Sequence, residues 1–109
     1  MIPPIIVCES DDLNIFLSVF DAESYLEFID VENNEYIAFD SNGLCLDLGV
    51  NVETQRVIIS QQSPINRRPE LLRDKIEKFM RYMKVNPSWI ENATLEGLIE
   101  KTVEFHFPK

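Results

Sequence analysis

The chain has 109 residues, 45% of them hydrophobic and 27% charged, which suits one domain with its own core and leaves no room for a second. Nineteen acids against ten bases give a net charge of −9, and phosphate contacts need clustered Lys and Arg, so direct binding to nucleic acid is not expected. No apolar run approaches the ~20 residues that span a bilayer, and the start Met1-Ile2-Pro3-Pro4 has no basic leader region, so the expectation is a cytoplasmic protein without a membrane role.

In chain order, Pro3 and Pro4 hold the start extended. Ile5-Ile6-Val7-Cys8 is a β-branched apolar run and predicts a strand. Glu9 to Asp12 reads as a turn, because Ser and Asp side chains compete for nearby backbone groups. Leu13 to Phe20 alternates in parity and favours a second strand, with a helix opened by the aspartates of the preceding turn as the alternative. Asp21 to Glu27 predicts a short helix, opening at Ser18 or at Phe20-Asp21 with acids in its first turn. Phe28 to Glu32 reads as an apolar and acidic link, broken by Asn33-Asn34.

Glu35 to Asp40 and Leu44 to Leu48 predict two strands joined by the hairpin connection Ser41-Asn42-Gly43, where Gly43 can take a positive φ. Leu44, Leu46 and Leu48 share one face of the second strand, and Cys45 and Asp47 the other. Val50 and Val52 extend it loosely. Arg56 to Ser60 is the next strand, and these strands are expected to form an antiparallel meander. Gln61 to Pro69 reads as a linker. Pro69 suits a first helical turn, and Leu72, Ile76, Phe79, Met80 and Met83 then repeat as one apolar stripe to about Lys84. Asn86-Pro87 ends that helix, and Pro87 to Ile90 is a loop or one helical turn. A shorter helix follows over Thr94 to Glu100, capped by Asn92 or Thr94. Thr102 to Phe107 alternates Val103, Phe105 and Phe107 against Glu104 and His106 and predicts a last strand. The fold class is therefore α+β: an antiparallel sheet packed by one long amphipathic helix and a shorter C-terminal one.

Motifs for catalysis are missing. The only histidine, His106, lies in the alternating terminal run, where it is expected to face solvent. No G-x-S-x-G, glycine-rich phosphate cradle or His/Cys ligand spacing occurs, so no catalytic residue, metal or cofactor is expected, and no enzyme. Asp40-Ser41-Asn42-Gly43 is a fragment of a calcium loop and reads as the hairpin turn. Cys8 and Cys45 lie in apolar runs and read as buried thiols, with a disulfide open if their strands lie side by side.

The informative pattern is the placement of charge. Met1 to Gln55 holds twelve acids and no Lys or Arg, a charge of −12, while Arg56 to Lys109 carries +3. Such asymmetry points to a charged partner. A patch of Asp30, Glu32, Glu35, Tyr36 and Asp40 combines a negative field with an aromatic anchor, and these are the candidate partner-binding residues. The residues Asp21-Ala22-Glu23, Tyr25-Leu26-Glu27, Asp30-Val31, Glu35-Tyr36, Ala38-Phe39-Asp40 and Gly43, about a third of the chain, resemble small bacterial cytoplasmic immunity proteins of polymorphic toxin systems. That resemblance implies a protein that binds and neutralises a toxin, and acidity suits a basic target such as a nuclease. A second reading is a homo-oligomeric structural or regulatory module, a homodimer among them, in which a sheet edge or helix stripe buries another copy.

Overall fold

A computed structural model describes residues 1–108. Its elements run β1 (Ile5–Glu9), β2 (Asp12–Phe16), α1 (Val19–Tyr25), α2 (Phe28–Glu32), β3 (Ile37–Phe39), β4 (Cys45–Asn51), β5 (Arg56–Gln61), α3 (Pro69–Tyr82), α4 (Pro87–Asn92) and α5 (Leu95–His106). The five strands form one antiparallel sheet in the order β2-β1-β3-β4-β5. From β3 to β5 it is the expected meander. The first hairpin turns back on itself, so β1 rather than β2 lies beside β3, and α1 and α2 make the crossing between β2 and β3.

Both faces of the sheet are covered, which explains why β1 has no polar side. Ile5 and Val7 pack with Ala38, Leu46, Val57 and Ile59 under Ala22, Leu26 and Val31 of the α1–α2 layer. Ile6 and Cys8 point the other way, joining Leu13, Ile15 and Phe39 against Leu72, Ile76, Phe79 and Met80 of α3, Ile90 of α4, and Leu98 and Ile99 of α5. Every apolar residue of the α3 stripe except Met83 is buried. No helix is long and apolar enough to cross a membrane among the described residues.

The local chemistry sets the boundaries. The expected strand Leu13 to Phe20 stops at Phe16, because Ser18 Oγ accepts the Asp21 N–H at 3.0 Å and starts α1 early. The link Phe28 to Glu32 is itself one short helix. At the far end, the expected strand over Thr102 to Phe107 is helical instead. Thr94 Oγ1 accepts the Gly97 N–H at 3.0 Å, and α5 then runs through to His106 with Leu98, Ile99 and Thr102 buried. Helical spacing buries that side, whereas the alternating set leaves Phe105 and Phe107 exposed. Cys8 and Cys45 lie on β1 and β4 with β3 between them and are free thiols. Burial pushes the Cys8 thiol up to about 11 and raises Cys45 as well, so both are held as inert thiols rather than thiolate nucleophiles.

Candidate functional site: an unpaired acidic corner

The turn after α2 builds the corner. Asn33 and Asn34 donate their N–H groups to Ile29 O and Val31 O. Asn34 takes a φ of 55°, a left-handed conformation that Asn tolerates. The chain then doubles back, and the Glu35 N–H reaches Asp30 O at 3.1 Å. Tyr36 consequently lies over α2, and its phenol donates to Asp30 Oδ2 at 3.1 Å. β1 pairs with β3 through Cys8↔Ile37, and continuing that register by one residue sets Glu9 opposite Tyr36. Glu27, the residue that precedes α2, adds its charge to the same corner.

Crowding of acids has electrostatic consequences. A hydrogen bond shared with the Asp30 carboxyl, then a small desolvation, then repulsion from Asp30 and Glu9, raises the Glu35 carboxyl above its ordinary value. Burial, the Asp30 hydrogen bond and repulsion from Asp30, Glu9 and Glu27 raise the Tyr36 phenol. No cation contributes to either group. The site therefore has two neighbouring carboxyls, Asp30 and Glu35, a phenol hydrogen-bonded to Asp30, and two further acids within range.

Three of the five residues expected in the patch meet here: Asp30, Glu35 and Tyr36. Glu32 is exposed two residues beyond Asp30 in α2, and residues at that spacing do not share a helix face. Asp40 is not at the surface at all, being 2% exposed. Its Oδ1 accepts the N–H groups of Asn42 (2.9 Å) and Leu44 (3.0 Å), and its Oδ2 accepts that of Ile2 (3.0 Å). It shapes the Ser41-Asn42-Gly43 turn and ties down the N-terminal segment. Glu9 and Glu27 are the residues that sequence reasoning missed. A pairing across 27 positions brings Glu9 in, and no local pattern announces it.

Beyond this corner, the distribution of ion pairs follows the layers. Arg68–Glu70, Arg73–Glu77, Lys78–Asp74, Arg81–Glu77 and Lys101–Glu104 all lie in or beside α3 and α5. Among the described residues, none of the twelve acids of the first half forms an ion pair. Two places mix the signs. Asp11 and Asp12 line a small cleft with Lys75 and Lys78, and Glu23 lines another with Arg56. In the second, about 460 Å³ between α1 and the free edge of β5, Glu23 Oε2 accepts the outward-pointing Ile59 N–H at 2.7 Å. Among the described residues no three of His, Cys, Asp and Glu converge as a metal-binding group.

Comparison with family models, curated proteins and solved structures found no match.

Proposed function

We propose that this protein is an acidic, non-enzymatic binding protein of the immunity type, which neutralises a basic protein toxin by direct contact through its α1–α2 layer. One observation carries the reading. That layer and the corner beside it bear Asp21, Glu23, Glu27, Asp30, Glu32, Glu35 and Glu9 and no base of their own, and none of these acids is ion-paired. Unpaired carboxylates present full charge to an incoming cationic surface, which speeds encounter and selects against anionic partners. Tyr36, half-buried and hydrogen-bonded to Asp30, adds a rigid aromatic edge in the middle of the field. For a nuclease target, the carboxylates would stand where substrate phosphates otherwise sit.

The test is co-purification of the product of the adjacent gene at low ionic strength, followed by a salt series. Retention that falls steeply with salt, and that the combined variant Glu9→Gln, Asp30→Asn, Glu35→Gln abolishes while staying folded, supports the reading. Retention of no neighbouring basic protein, or binding indifferent to those three changes, defeats it.

A further inference from the structure

The two short helices of the α1–α2 layer repeat one pattern. Val19-Phe20-Asp21-Ala22-Glu23 in α1 is answered nine residues later by Phe28-Ile29-Asp30-Val31-Glu32 in α2. In each, the fourth residue is the one buried on the sheet, Ala22 and Val31. The second residue lies two positions earlier, about 200° around the helix axis, and therefore points outward. These outward residues are Phe20, 67% exposed, and Ile29, 56% exposed. The third and fifth residues lie about 100° to either side of the buried one, which puts an Asp and a Glu on the flanks of each apolar knob. Uncharged donors hold two of the four carboxylates: the Ile59 N–H reaches Glu23 at 2.7 Å and the Tyr36 phenol reaches Asp30 at 3.1 Å. Their positions are thus fixed without a counter-charge, and among the described residues none of the four forms an ion pair.

We infer that Phe20 and Ile29 are the anchors of this face, and that the partner they fit presents apolar side chains set among Lys and Arg. This rests on the α1–α2 layer being the surface that meets a basic protein, and adds what holds the two together once charge has brought them close. A lone exposed apolar residue is ordinary. The same class of residue at the same outward position of two successive helices, flanked by an Asp and a Glu each time, fits one kind of occupant. A second copy of the chain is repelled, because its own carboxylates would face these. A purely polar cationic surface would leave both side chains in water, whereas burying them strengthens binding and slows dissociation. The aromatic cluster on the other side of the sheet offers no equivalent. Lys101 Nζ already lies 5.8 Å from both the Trp89 and Phe105 rings. Phe105 meets Phe79 edge-on, and the His106 ring stacks on Phe79, half-buried rather than facing solvent as its alternating run suggests.

Two peptides of equal length and charge test this at low ionic strength, one of Lys and Leu at helical spacing and one with Ser in place of Leu. Both should move the amide NMR shifts of α1 and α2, and the Lys/Leu peptide should bind at least about tenfold more tightly. Its binding should leave the emission of Trp89 unchanged, since the one tryptophan of the chain lies on α4, across the sheet. The double variant Phe20→Ser, Ile29→Ser alters exposed positions only and keeps the fold. It should lose that tenfold advantage and bind the Lys/Ser peptide as before. Equal affinity of the wild type for the two peptides, a result that needs no variant, overturns the anchors and leaves the attraction of charge standing. So does an advantage that survives in the variant, or a Lys/Leu peptide whose shifts fall on α3 to α5 instead. If neither peptide moves the α1–α2 amides, the anchors and the proposed basic partner fall together.

Discussion

Asp40 uses Oδ1 on two backbone amides of the turn after β3 and Oδ2 on the amide of Ile2, and Gly43 of that turn is buried against Pro69 at the start of α3. Gly43 in that turn has φ +77°, and a Cβ there would lie 2.6 Å from Pro69 Cα, so the turn and the start of α3 fit only without a side chain. Asp40→Ala leaves the amides of Asn42, Leu44 and Ile2 without an acceptor and should cost about 2–4 kcal/mol in a urea melt, with the slope of the transition unchanged. Asp40→Asn retains one acceptor oxygen and should cost less. A loss under about 0.5 kcal/mol for the alanine would mean that the three contacts do not matter in solution. Glu35 behaves in the opposite sense. Its folded carboxyl is raised, so the folded state binds the proton more tightly than the unfolded chain does. The stability this contributes is present below the ordinary carboxylate value and is lost as pH rises through the raised one. Glu35→Gln should therefore raise Tm at neutral pH, more so at low salt, and change it little in acid. Equal shifts at both pH values would remove the Asp30–Glu35 repulsion from the account. Tyr36 carries the same sign further up the scale, with folded stability falling as pH rises past about 10.

Elements were legible where one periodicity stood alone. The α3 stripe has no competing alternation, and Pro69 and Asn86-Pro87 mark its surroundings. The hairpin around Ser41-Asn42-Gly43 was legible too, down to Leu44, Leu46 and Leu48 sharing a face, because alternation and turn chemistry agree there. The C-terminal segment was not, since Val103, Phe105 and Phe107 alternate while Leu95, Leu98, Ile99, Thr102 and Val103 also step by three and four. Only α3, arriving from elsewhere in the chain, decides which set is buried. The same long-range dependence hides Glu23. Nothing in Asp21-Ala22-Glu23 says that its third residue will cap an edge strand 36 positions later. Beside the carboxylate the edge of β5 is otherwise open, and open edges pair with other chains. Glu23→Ala should cost about 1–2 kcal/mol, speed hydrogen exchange at the Ile59 amide specifically, and increase self-association at high concentration. Unchanged exchange at Ile59 would show that the contact protects nothing.

At the scale of the molecule, the sheet keeps the signs apart. Along β5, Val57 and Ile59 face α1 and α2, so the alternating set with Arg56 faces the other side. The loop after it delivers Arg67 and Arg68 to the start of α3, and among the described residues the remaining bases fall on α3, α5 and the turn after α3. The sheet lies between the acids of the α1–α2 layer and the bases of α3 and α5. Asp11 and Asp12, however, share a cleft with Lys75 and Lys78, Glu23 shares another with Arg56, and Asp47 lies with Cys45 on the α3 side of β4. The consequence is a pair of opposite responses to salt. Within the folded monomer most charge is uncompensated repulsion, and the ion pairs on α3 and α5 are exposed or half-exposed and worth little each. Screening over about 10 Å at 0.1 M should therefore raise the Tm of the free protein. Attraction between the acidic layer and a cationic partner decays over the same distance, so the same addition of salt should lower affinity, mainly through the association rate. Thermal melts and stopped-flow association across one salt series separate the two effects. If salt lowers the Tm of the free protein, the ion pairs outweigh the repulsion and the acids are not a strained reserve of charge. If salt raises Tm but leaves association untouched, the partner is held by apolar contact, and the charge of the α1–α2 layer serves solubility alone.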